Sequence, residues 1–140
     1  MSLHFLLVQR NHEIISNIAY FSLFHFIEQV GRVTNFNRNL RRWNVSSVED
    51  MSFAFTNCLS FQGLGLDAWD TSKVRNMEGM FLNTPSFNGD LSLWNVSMVT
   101  NMKKTFRQAT SFNSVLSQWD VSRVTDMTEM VRVLLCFCII

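Results

Sequence analysis

The chain has 140 residues, which suits one ordinary domain, and it is 47% hydrophobic against 16% charged. That is enough apolar material for a core and argues against wholesale disorder. Twelve Lys and Arg nearly balance eleven Asp and Glu, a formal net charge of +1, so no global field recruits nucleic acid or an anionic membrane.

Residues 1–35 carry no repeat. The run "LHFLLV" is too short for a signal-peptide core, and no small-residue cleavage pattern comes after it. Ile14 to Ile27 is longer, yet it falls short of the ~20 residues that cross a bilayer, and it includes Asn17 and His25. An apolar helix over 1–35, capping the open end of a repeat array that begins at Phe36, is expected ahead of a membrane-associating segment.

From Phe36 the chain becomes periodic. Tryptophans stand at Trp43, Trp69, Trp94 and Trp119, and phenylalanines at Phe36, Phe61, Phe87 and Phe112, a period of 25 or 26 residues. The one extra residue falls in "FQGLGLDAW", where two glycines suit a loosened turn. Three before each Trp stands Leu40, Leu66, Leu91 or Leu116. Five after it stands Val48, Val74, Val99 or Val124, and eight after it Met51, Met77, Met102 or Met127.

Each unit divides into two halves. Around "WNV" or "WDV" the alternation of apolar and polar residues predicts an extended segment. From the methionine onward, Met51, Ala54, Phe55 and Cys58 recur at i, i+3, i+4 and i+7, the spacing of one helix face. Asp50, Asn76, Asn101 and Asp126 stand just before as N-caps. Neither half buries its apolar side alone, so four units over 36–131 are expected to stack as an α/β solenoid, Trp over Trp and Met over Met.

The phrase "SFNSVLSQWDVSRVTDM", with its counterpart "SFNGDLSLWNVSMVTNM", closely resembles the BspA-type leucine-rich-repeat family of mycoplasma-type surface repeats. The likeness covers Phe36 to about Val131. It implies an LRR-like right-handed solenoid, a place at the cell surface or outside the cell, and adhesion or protein binding; it brings no catalytic residues. The chain departs from the family phrase at Phe53, Ala54, Thr105 and Val131.

Residues 132–140 end the chain in bare hydrophobics, where a solenoid normally carries a polar cap. A truncated or misread end is expected there, with partner or membrane contact as the alternative, and the isolated chain is expected to self-associate end to end. Cys58, Cys136 and Cys138 make no even disulfide framework, and buried thiols are expected rather than zinc ligands.

Chemistry is sparse. His4, His12 and His25 precede the repeats, no nucleophile or metalloprotease motif occurs, and Asp67, Asp90 and Glu78 hold non-equivalent positions. Asn44 and Asn95 head N-x-S sequons, but Asp70 and Asp120 fill the same slot, which favours turns over glycosylation. The expectation is a non-catalytic module, without cofactor or metal, that binds an unidentified protein ligand. A structural fragment of a longer array, or a solenoid-based carbohydrate-active enzyme, is the competing reading. Recognition belongs at positions free to vary, and the candidate interaction surface is Lys73, Arg75, Lys103, Lys104, Arg107 and Arg123.

Overall fold

The computed structural model describes residues 34–131. The chain winds through four coils, residues 36–60, 61–86, 87–111 and 112–131, each lying on the one before. Corners in every coil are closed by bonds from residue i+3 back to residue i, the hydrogen bond of a β-turn. In the third coil Trp94 N–H donates to Leu91 C=O (3.1 Å), Val99 to Val96 (2.9 Å), Thr105 to Met102 (3.2 Å) and Ala109 to Phe106 (3.1 Å).

The expected α/β solenoid with LRR-like right-handed architecture is overturned. Among the described residues there is no α-helix and no multi-residue strand, only one 3₁₀ turn at Leu66–Ala68 and single parallel bridges joining Asp50, Asn76, Asn101 and Asp126. A sheet of paired strands is missing because one residue per coil forms a bridge. The expected helical cap over 1–35 lies almost wholly outside the described residues, as does the tail 132–140.

The reason no helix forms after each methionine lies in the backbone. Phe53, Gly79, Lys104 and Glu129, two after Met, have φ between 54° and 57°, and Asn57, Asn83 and Gln108, six after it, between 55° and 63°. A left-handed residue every fourth position interrupts a right-handed helix. The intervening N–H groups then alternate in direction. Met51, Phe53, Phe55 and Asn57 donate to Asn76, Glu78, Met80 and Leu82 of the next coil (2.8–2.9 Å), whereas Ala54, Thr56 and Cys58 donate three residues back (3.1–3.3 Å). Half of the bonding that a helix would keep to itself is thereby directed to the neighbouring coil.

Packing matches the sequence period. The Trp69 and Trp94 rings lie 6.0 Å apart at 7°, Phe55 and Phe81 5.6 Å apart at 4°, and Phe81 and Phe106 5.6 Å apart at 7°. A second phenylalanine column, Phe61, Phe87 and Phe112, interleaves with the first, with Phe81 and Phe87 only 4.0 Å apart. Leu40, Leu66 and Leu91, and Met51, Met77 and Met102, are buried beside them. The buried indoles of Trp69 and Trp94 find acceptors, as polar groups out of water must, and the half-buried Trp119 follows them: the three donate Nε1–H to Leu40, Leu66 and Leu91 of the coil before (2.8–3.1 Å).

The extra residue of the second coil is absorbed at Gly63 and Gly65, with φ of 87° and 85°, leading into the 3₁₀ turn. A Cβ on Gly63 would stand 2.7 Å from the Gly89 backbone, so the two coils approach at a place where glycine is required.

Candidate interaction surface

With the interior occupied by columns of like side chains, the variable residues are left outside, and the backbone aligns them. Arg75 N–H donates to Glu49 C=O, Thr100 to Arg75, and Thr125 to Thr100, each at 2.8 Å. Glu49, Arg75, Thr100 and Thr125 therefore form a continuous exposed column. Ser47, Lys73, Met98 and Arg123 occupy the turn that precedes it, two residues earlier in each coil.

That turn is shaped by its own side chains. Asn44, Asp70, Asn95 and Asp120 accept the N–H of the serine two residues on, Ser46, Ser72, Ser97 or Ser122, at 3.0–3.1 Å. This Asx geometry holds the intervening loop without help from a partner. The hydrogen bonds to Ser72 and to Ser122 hold the Asp70 and Asp120 carboxyls below the usual carboxylate range, with a smaller pull from Lys73 and Arg123. Asp50, Asn76, Asn101 and Asp126 repeat the device further on, accepting from Ser52, Glu78, Lys103 and Thr128 (2.8–3.1 Å), where N-caps are expected from sequence.

The six candidate cations fall into two groups. Lys73, Arg75 and Arg123 lie along the turn and column after Trp and are exposed. Arg75 Nε stands 3.4 Å from Glu49 Oε2, and Arg123 Nη1 donates to the Met98 sulfur at 2.9 Å. Lys103, Lys104 and Arg107 lie on the third coil after Met102 and are half-buried. Lys103 Nζ is 3.8 Å from Glu78, Arg107 Nη1 is 2.9 Å from Glu129, and Lys104 sits in the left-handed conformation. Two of these three cations are thus matched by carboxylates of adjoining coils, which leaves three positive charges against two negative ones in the second group. Such exposed or half-exposed pairs contribute little stability.

The carboxylates weighed for catalysis are drawn apart. Asp67 pairs with Arg41 at 2.8 Å, Asp90 accepts from Ser92 N–H at 2.9 Å, and Glu78 meets Lys103 and Asn101. Among the described residues no group of three His, Cys, Asp or Glu side chains is placed to hold a metal ion, and no helix is long and apolar enough to cross a membrane. Cys58 is fully buried, and desolvation pushes its thiol up to about 12.

Two features were not drawn from the sequence. One is the set of ion pairs between coils, whose signal was Glu49 and Arg75 at one repeat position with opposite charge. The other is a group of exposed aliphatic side chains, Leu64, Leu93 and Val115, on the segments between Phe and Trp.

A family model described as "Mycoplasma protein of unknown function, DUF285" matches residues 24–137. No curated protein and no solved structure matches the chain.

Proposed function

We propose, for a chain that belongs to this Mycoplasma family of unknown function, a non-catalytic role in binding other proteins through an extended exposed face. The observation that carries it is the column Glu49, Arg75, Thr100 and Thr125. Its members are tied to one another by 2.8 Å backbone bonds while their side chains differ in charge and size. A rigid backbone presenting side chains that the core does not dictate is the general design of repeat-protein binding faces. Lys73 and Arg123, on the adjoining turn, widen that face and give it a positive character that suits an acidic partner segment.

The BspA-type likeness of the repeated phrase supports a setting at the cell surface and a part in adhesion. In this proposal it adds the setting, and the column supplies the binding face.

Selection from a displayed peptide library against the immobilised chain tests the role. The expected result is enrichment of acidic sequences whose binding drops at least roughly tenfold when Arg75 and Arg123 are both changed to Glu. Binding should survive a change at Leu93, on the segment between Phe and Trp. No enrichment, or enrichment indifferent to Arg75 and Arg123, would remove the proposal.

A further inference from the structure

The methionines divide sharply by position. Met51, Met77, Met80 and Met102 are at most 1% exposed and belong to the apolar core. Met98 is different. It stands four residues after Trp94, half-buried on the outer turn, in the column Ser47, Lys73, Met98 and Arg123. Its sulfur accepts a hydrogen bond from Arg123 Nη1, at the equivalent position one coil on, at 2.9 Å.

Both residues ride on turns fixed within their own coils. Val99 and Val124 N–H donate to Val96 and Val121 C=O (2.9 and 3.0 Å), and Ser97 and Ser122 N–H donate to Asn95 and Asp120 Oδ1 (3.1 and 3.0 Å). The contact is therefore built into the stack. A thioether is a weak acceptor, whereas a guanidinium is suited to oxygen anions. The pair makes a modest hydrogen bond as it stands and a much stronger one once the sulfur carries an oxygen.

We infer that Met98 is a site of oxidation by hydroperoxides, with Arg123 assisting the oxygen transfer and then holding the product. A sulfur lone pair attacks one oxygen of hydrogen peroxide, and the S–O bond forms as the O–O bond breaks. The departing hydroxide takes the proton from the transferred oxygen and leaves as water. Sulfur gives up two electrons and the peroxide is reduced. Negative charge develops on the oxygens during the transfer, beside a fixed cation that stabilises it. In the sulfoxide, a polar and chiral group, the oxygen accepts a charge-assisted bond from Arg123. Only the consequence for binding rests on the role proposed above: Arg123 held in this way has fewer donors for an acidic partner, so oxidation weakens that face.

Timed treatment of the full chain with dilute hydrogen peroxide, followed by peptide mass mapping, tests the inference. Met98 should convert at least about tenfold faster than Met51, Met77, Met80 and Met102, whose sulfurs are shielded. In Arg123→Leu, Met98 should oxidise at least about threefold more slowly, while Met127, which is 36% exposed, keeps its rate. Arg123→Lys, which retains a cation, should restore part of the rate at Met98. A Met98 that lags with the core methionines, a rate indifferent to Arg123→Leu, or equal slowing at Met127 would each overturn the inference. Acidic peptides selected on the reduced chain should bind the oxidised chain at least about threefold more weakly, and Met98→Leu should abolish that sensitivity to peroxide. Peptide binding that ignores oxidation would remove the consequence for the face and leave the binding role standing. If no peptide is selected, the binding role falls and the oxidation rates still decide Met98.

Discussion

The indole N–H of Trp94 reaches back 2.8 Å to the carbonyl of Leu66, which already accepts the backbone N–H of Trp69 at 3.1 Å. One carbonyl thus fastens a corner of its own coil and the side chain of the next. Replacing Trp94 by Phe removes only the indole bond and part of the ring, at about 1 kcal/mol for the hydrogen bond, since Leu66 keeps its other donor. Trp94→Ala empties the column and should cost ~3–5 kcal/mol, comparable with the whole stability of a small domain. Urea unfolding followed by circular dichroism separates the two. An unchanged midpoint in Trp94→Ala would contradict the buried position of the ring.

Left-handed residues offer a stabilising change. Gln108 has φ of 63° and succeeds Asn57 and Asn83 in its column, where Asn83 Nδ2 donates to Asn57 Oδ1 at 2.8 Å. Asn tolerates this conformation better than Gln and could extend the side-chain ladder. Gln108→Asn should raise stability by about 0.5–1 kcal/mol, read as a higher urea midpoint with an unchanged slope. At Gly79, with φ of 57° and a Cβ position 2.6 Å from the Phe53 ring, Ala should cost about 1–2 kcal/mol in the same assay.

Acid should loosen the turns. Hydrogen bonds to Ser72, Ser92, Ser122 and Thr128 hold Asp70, Asp90, Asp120 and Asp126 below the ordinary carboxylate value. A group lowered on folding contributes stability that is present above its unfolded pKa, about 3.9 for Asp, and lost as pH falls through the lower folded value. Thermal midpoints should therefore fall below that pH. The variant with all four Asp changed to Asn, the residue that already serves at Asn44 and Asn95, should show a shallower decline. An identical acid profile would show that these carboxyls do not contribute.

Cys58 should be silent toward thiol reagents while the protein is folded. Its burial and its raised pKa, about 12, leave almost no thiolate near neutral pH. Peptide mapping after maleimide treatment should find the Cys58 peptide unmodified in buffer and fully modified in denaturant. Rapid labelling of folded chain would place the sulfur at the surface.

The period, the core columns and the polar turns were legible because they are written in residue identity. Met51, Ala54, Phe55 and Cys58 are all buried, as the helical spacing requires, and yet their backbone is not helical. The same four side chains face inward from a run of alternating turns, so a pattern of burial could not tell the two conformations apart. Gly79, Asn57 and Asn83 carried a trace of the left-handed positions, but Phe53, Lys104, Gln108 and Glu129 hid it. Of the candidate surface, the exposed column was legible from variability in register. Neutralisation of Lys103 and Arg107 was not, because their acidic partners sit 25 and 22 residues away in sequence.

The alternating direction of the N–H groups after each methionine has a kinetic side. A helix can melt and re-form within itself, but here every second amide is protected only while the adjoining coil is in place. Amide exchange should accordingly work inward from the outermost described windings like a zipper, and the amide of Phe81 in the second coil, locked to Thr105 of the third, should surrender its proton later than that of Phe55 in the first.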